Sequence, residues 1–89
     1  LAIDNAVSLE AAHSKNIDNV VAGNADLLIM PNLDAGNIFC KGLVYIGGLK
    51  SAGIVLGACK PIVLTSRSAG VEERFNSICV ACLLADKII

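Results

Sequence analysis

Leu64-Thr65-Ser66-Arg67-Ser68-Ala69-Gly70 places hydroxyls and a guanidinium directly ahead of a periodic apolar stretch. Hydroxyl donors, a planar arginine fork and unpaired amides at a helix start together make an anion site. The plain alternative is a surface arginine beside a serine cap. A second segment, Pro31-Asn32-Leu33-Asp34-Ala35-Gly36-Asn37, lies between an apolar run and a helical pattern. Gly36 admits close approach of a ligand to the backbone, and Asn37 both donates and accepts hydrogen bonds. Here the alternative is that Asp34 caps the helix and Gly36 packs. Glu72 and Glu73 fall in the first turn of the last helical stretch, where acids complement the dipole; that reading is preferred for Glu72.

Other reactive side chains read more plainly. His13 stands beside Ser14 and Lys15 on a short polar helix and reads as a surface residue. Lys41 and Lys50 read as solvated, although Lys41 lies one turn from Asn37 and could reach the same cleft. Cys79 and Cys82 form C-x-x-C in mid-helix, without nearby histidine and away from the N-terminus that would activate a thiol. With Cys40 and Cys59 they are expected to be buried structural thiols, free in a reducing cytosol; no metal site is expected.

The elements that must hold these segments alternate between helix and strand signals. Ser8 is a predicted N-cap of a helix through about Lys15, with Leu9 and Ala12 inward and Glu10 and Lys15 outward. Residues 25–30 carry Leu27, Leu28 and Ile29 in a row, the pattern of a strand covered on both faces, ended by Pro31. Asp34 is the predicted N-cap of a helix over 35–46 that stops at Gly47-Gly48. Residues 54–56 and 61–65 are two further strand candidates. The last helix is predicted over 71–87, with Val71, Phe75, Ile78, Cys82 and Ala85 on one face. Three buried strands separated by helices or tight turns predict an α/β fold with a mainly parallel sheet. Ligands bind such sheets beyond the carboxyl ends of the strands, where both polar segments fall.

Composition narrows the function. A chain of 89 residues with 55% hydrophobic and 17% charged residues has too little interior for its apolar surface. Its mean hydropathy is +0.70. Part of that surface is expected to face further chain or another subunit, and with Leu1 in first place the sequence reads as a piece of a larger protein. A net charge of −1 with scattered Lys and Arg argues against nucleic-acid binding. The longest apolar run, residues 78–85, is too short for a membrane span. Asp4, Glu10 and Asp18 interrupt any secretory signal at the start.

Four segments, taken together, carry a family likeness. Val21-Ala22-Gly23-Asn24-Ala25-Asp26, Pro31-Asn32-Leu33-Asp34-Ala35-Gly36-Asn37-Ile38, Lys50-Ser51-Ala52-Gly53-Ile54-Val55-Leu56-Gly57 and Pro61-Ile62-Val63-Leu64-Thr65-Ser66-Arg67 closely resemble the C-terminal region of the phosphate acetyl/butyryltransferases. The likeness covers nearly the whole chain, in order and with matching spacing. It implies a three-layer α/β/α architecture within a two-domain, isocitrate dehydrogenase-like fold, of which residues 1–89 would be a C-terminal fragment lacking the N-terminal remainder. It further implies a cytoplasmic homo-oligomer, dimer or larger, that transfers an acyl group between coenzyme A and inorganic phosphate. Both would be substrates, with no bound cofactor or metal.

By this resemblance Arg67 would hold phosphate and Ser66 would hydrogen-bond the reacting carbonyl or the departing sulfur. Glu73 matches the position of an aspartate base in acetyl-specific members, and Asp34, Gly36, Asn37, Tyr45 and Thr65 would bind substrate. Acetyl-specific members carry arginine where this chain has Tyr45 and cysteine where it has Ala69. The chain is therefore expected to lie nearer the butyryl branch, with a longer, greasier acyl group. Members are several times longer, so the fragment alone is expected to be inactive. The alternatives are an acyl-CoA-sensing module like those fused to malic enzymes, or an oligomerisation piece.

Overall fold

The computed structural model describes residues 1–87. The chain forms two compact units, one over Leu1–Ala35 and one from Gly36 onward.

In the first unit, helices α1 (Ile3–Val7) and α2 (Leu9–Ser14) pack together around Ser8, which ends one and begins the other. Its amide donates to Asp4 O at 2.9 Å, and its hydroxyl accepts from Ala11 N at 3.1 Å. The expected serine cap is present, because a side-chain oxygen at this position satisfies an amide that has no helical partner. Ala12 points inward as expected, 1% exposed, with Ala6 and Ala22 beside it. Leu9, also expected inward, is exposed. The core here is built of alanines, since the returning loop comes too close for larger side chains. That loop is pinned by Gly23 N to Asn5 O at 2.8 Å and Ala25 N to Ala6 O at 3.1 Å. Gly23 adopts φ +78, and a Cβ there would fall 2.5 Å from Leu9 Cα.

Helix α3 (Leu33–Lys41) runs into a π-helical turn, Gly42–Ile46. Asn32 caps it, with Oδ1 accepting from Ala35 N at 2.9 Å. Asp34, the expected cap, instead sits in the first turn. The cap shifts because Leu33 is already helical, so the residue before it receives the free amides. The stop at Gly47-Gly48 is as expected: Gly48 takes φ +71, and Leu49 N donates back to Leu43 O at 3.0 Å.

Among the described residues no strand forms. Residues 25–30 make no ladder, and the two later candidates meet only in one antiparallel bridge, Val55 with Ile62. Residues 57–60 explain its direction, because a link this short allows only antiparallel pairing, whereas a parallel pair needs a crossover of about a dozen residues. No described segment lies alongside to extend the bridge into a sheet.

Helix α4 (Val71–Ala85) starts after Gly70, whose extended backbone breaks from helical geometry, and ends close to the expected position. Its apolar stripe does not face inward. Val71 is 87%, Phe75 64% and Ile78 53% exposed. The fully buried residue is Ser77, on another face of the helix. Its hydroxyl donates to Glu73 O at 2.8 Å and accepts from Gly53 N at 2.9 Å. The polar bond decides which face of α4 the described chain covers, and the apolar stripe is left bare.

Candidate active site

The second unit contains a cleft of about 300 Å³. Asn37, Cys40 and Lys41 line it from α3, Val44 and Tyr45 from the π-helical turn, and Glu73 from α4; Ser51, Leu64 and Ser66 complete it. The π-helical turn matters here. Widening the helix by one residue per turn changes where its side chains project, and such turns recur at functional sites. Tyr45, on this turn, is within hydrogen-bond reach of the segment before α4.

A network of polar contacts joins the two sides. Tyr45 OH lies 3.0 Å from Ser68 O and 2.9 Å from Ser68 Oγ. Ser68 Oγ lies 3.0 Å from Ser66 Oγ, and Ser68 N donates to the same oxygen at 3.3 Å. Lys41 Nζ donates to Ser66 Oγ at 3.3 Å and stands 6.0 Å from the centroid of the Tyr45 ring. Ser66 Oγ therefore has three polar contacts, two from Ser68 and one from Lys41. On the opposite wall, Ser51 Oγ donates to Glu73 Oε1 at 2.6 Å. Glu72 points elsewhere, to Lys50 Nζ at 3.1 Å, as an exposed surface pair.

Of the residues singled out in the sequence, Ser66, Glu73, Asn37 and Tyr45 meet in this cleft. Arg67 and Thr65 flank Ser66 in the chain, but neither lines the cleft, and Arg67 is exposed. Asp34 is exposed and Gly36 half-buried on α3, outside the cleft lining. The thiols depart from expectation. Cys40, Cys59 and Cys82 are exposed and Cys79 is half-buried; all four are free. Their helices and loops lack a covering layer among the described residues, so small apolar side chains that favour burial remain accessible.

Ser51 was not legible as a site residue, because only the folded loop brings it to Glu73. Ser68 stood in the segment read as an anion site but was given no role of its own; its contact with Tyr45 comes from the fold. Lys41 carried one usable signal, its place one turn after Asn37.

Chemically, the cleft offers hydroxyl donors, one ammonium and one carboxylate around a space large enough for a small acyl group and an anion. The sequence profile of the phosphate acetyl/butaryl transferase family matches residues 1–82. The chain belongs to this family. Among similar proteins of the phosphate acetyl/butaryl transferase family, a phosphate butyryltransferase from Clostridium beijerinckii is 44% identical over 84 residues. That alignment covers 94% of this chain and 28% of the relative. A phosphate acetyltransferase from Rickettsia typhi is 49% identical over 88 residues, covering 99% of this chain and 24% of its own length. One from Thermotoga maritima is 48% identical over 84 residues, 94% of this chain and 29% of the relative. The chain thus spans between 24% and 29% of the length of these curated relatives. No helix among the described residues is long and apolar enough to cross a membrane.

Proposed function

We propose that the protein containing this chain is a phosphate acyltransferase, exchanging an acyl group between coenzyme A and inorganic phosphate. The observation that carries this reading is the meeting of Ser66 and Glu73 in one cleft, within a chain whose family membership covers both residues.

In the direction that forms the thioester, Glu73 takes the proton from the coenzyme A thiol. The thiolate attacks the acyl carbon of the acyl phosphate, the C–S bond forms, and the C–O bond to phosphate breaks. Phosphate leaves with that proton. By the family resemblance Arg67, which flanks Ser66 outside the cleft lining, holds the phosphate, and Ser66 donates to the reacting carbonyl or to the sulfur. In the reverse direction a phosphate oxygen attacks the thioester carbonyl, and the proton returns to sulfur through Glu73. Ser51 occupies Oε1 of Glu73, leaving the second oxygen for the proton. Such a positioned base contributes about 10²–10⁴-fold to rate.

Butyryl or a similar short chain is the acyl group this reading favours. Tyr45 supports it, because it replaces a charged side chain with a ring whose hydroxyl is engaged by Ser68. Residues 1–89 then form the C-terminal part of a two-domain, three-layer α/β/α enzyme, and the fragment by itself is inactive. The bare apolar stripe of α4 supports contact with further chain or a second subunit. The four free thiols fit a reducing, cytoplasmic setting.

The test is phosphate-dependent release of free thiol from butyryl-CoA by the full-length protein, with Arg67→Ala as control. Release that Arg67→Ala abolishes supports the reading. Tight acyl-CoA binding without release favours a sensing module, to which the exchanged residues at Tyr45 and Glu73 also point. A higher kcat/KM for acetyl-CoA than for butyryl-CoA would overturn the acyl-chain preference alone.

A further inference from the structure

We propose that Lys41 is the phosphate ligand on the cleft wall, a cation additional to Arg67, which flanks Ser66 outside the cleft lining; the inference rests on the transacylase reading above. Among the described residues, Lys41 is the only basic one lining the cleft. Its Nζ donates to Ser66 Oγ at 3.3 Å, so an oxygen that hydrogen-bonds Ser66 lies within reach of the ammonium as well.

Two further observations bear on its charge. Lys41 forms no ion pair among the described residues, whose pairs are Lys15 with Asp4 and Lys50 with Glu72. The carboxylate sharing the cleft, Glu73, is hydrogen-bonded to Ser51 on the other wall. The ammonium is thus uncompensated where an anion would sit. The Tyr45 ring, 6.0 Å from Nζ at its centroid, faces the cation without neutralising it.

The chemistry suits a division of labour. Phosphate carries close to two negative charges at neutral pH, and a planar guanidinium engages two of its oxygens at most. A lysine adds a compact point charge from a different direction. Because Ser66 and Lys41 converge, the anion would be fixed beside the hydroxyl that addresses the reacting carbonyl. Placement of this kind lowers the barrier by orientation.

The experiment is direct titration of inorganic phosphate into the full-length protein by calorimetry, comparing wild type with Lys41→Ala and Lys41→Arg. Lys41 is exposed, and circular dichroism confirms that each variant is folded. Losing one charge-assisted hydrogen bond should weaken phosphate binding about tenfold in Lys41→Ala. Lys41→Arg should recover most of it, and the KM for acyl-CoA should hold. Phosphate affinity in Lys41→Ala within about twofold of wild type overturns the inference, as does a wild-type protein that binds no phosphate. Thiol release is measured on the same wild-type sample. Turnover with an indifferent Lys41→Ala sinks this inference and leaves the enzyme reading intact. Lys41-dependent phosphate binding without turnover does the opposite.

Discussion

Ser51 donates its hydroxyl hydrogen to Glu73 Oε1 across 2.6 Å, tying the loop after the π-helical turn to the first turn of α4. One helical turn later, Ser77 makes the matching contact with Gly53. Positions i and i+4 of a helix thus hold positions i and i+2 of an extended segment. The first contact orients a carboxylate that faces the cleft, and the second is wholly structural.

Ser51→Ala releases Glu73 from its partner. In the full-length enzyme kcat should fall about three- to tenfold, the kinetic equivalent of a hydrogen bond of ~1 kcal/mol. KM for phosphate should be unchanged, and Ser51→Thr should keep most of the activity. Steady-state kinetics with both substrates checks this, and an unaltered kcat refutes it.

Ser77→Ala removes the acceptor for Gly53 N in a site with no solvent access. The stranded amide should cost about 1–3 kcal/mol, read as a lower midpoint in chemical unfolding. Ser77→Val adds bulk to the same closed site and should be worse. A variant as stable as wild type would mean that the loop finds another partner.

Gly23→Ala is expected to destabilise the first unit. The residue holds φ +78, and its Cβ would meet Leu9 Cα at 2.5 Å. Strained backbone of this kind costs on the order of 1–3 kcal/mol before the clash is added. The loop should open, exposing the amides of Gly23 and Ala25 to hydrogen exchange. Protection equal to wild type at these two amides would count against the assignment.

Asp4 has its carboxyl held below the ordinary value of 3.8, first by the hydrogen bond from Lys15 and then by the amide of Asn5. A depressed acid stabilises the fold above its unfolded pKa and loses that contribution as pH falls through its folded pKa. The melting temperatures of wild type and Asp4→Asn should therefore differ by a constant amount above about pH 5 and converge towards pH 2. The pair is exposed, so the difference should also shrink in high salt. A gap independent of pH would show that the ion pair does not stabilise the unit.

How much of this was legible beforehand depended on the range of the interaction involved. The Ser8 cap, the stop at Gly47-Gly48 and the start of α4 were readable, because each arises from backbone groups a few residues apart. Asp34 misled for a local reason too, since Asn32, two residues earlier, competes for the same amides. The inward face of α4 was misjudged because apolar periodicity identifies a face that wants cover, not whether cover is present. Burial of the thiols failed on the same assumption.

By itself the sequence determined α2, α3 and α4, the Ser8 cap, the stop at Gly47-Gly48 and the family, because capping, glycine geometry and motif spacing are short-range properties of the chain. Helix α1 and the cap at Asn32 were not read from it. Tertiary structure alone decided that Lys41 reaches Ser66, that Tyr45 reaches Ser68, and that Ser51 reaches Glu73. Those contacts join residues far apart in sequence. Their partners are chosen by how the loops close, including a π-helical turn that no composition rule announces. The same closure, made through the polar bond at Ser77, set which face of α4 is covered and which is left exposed.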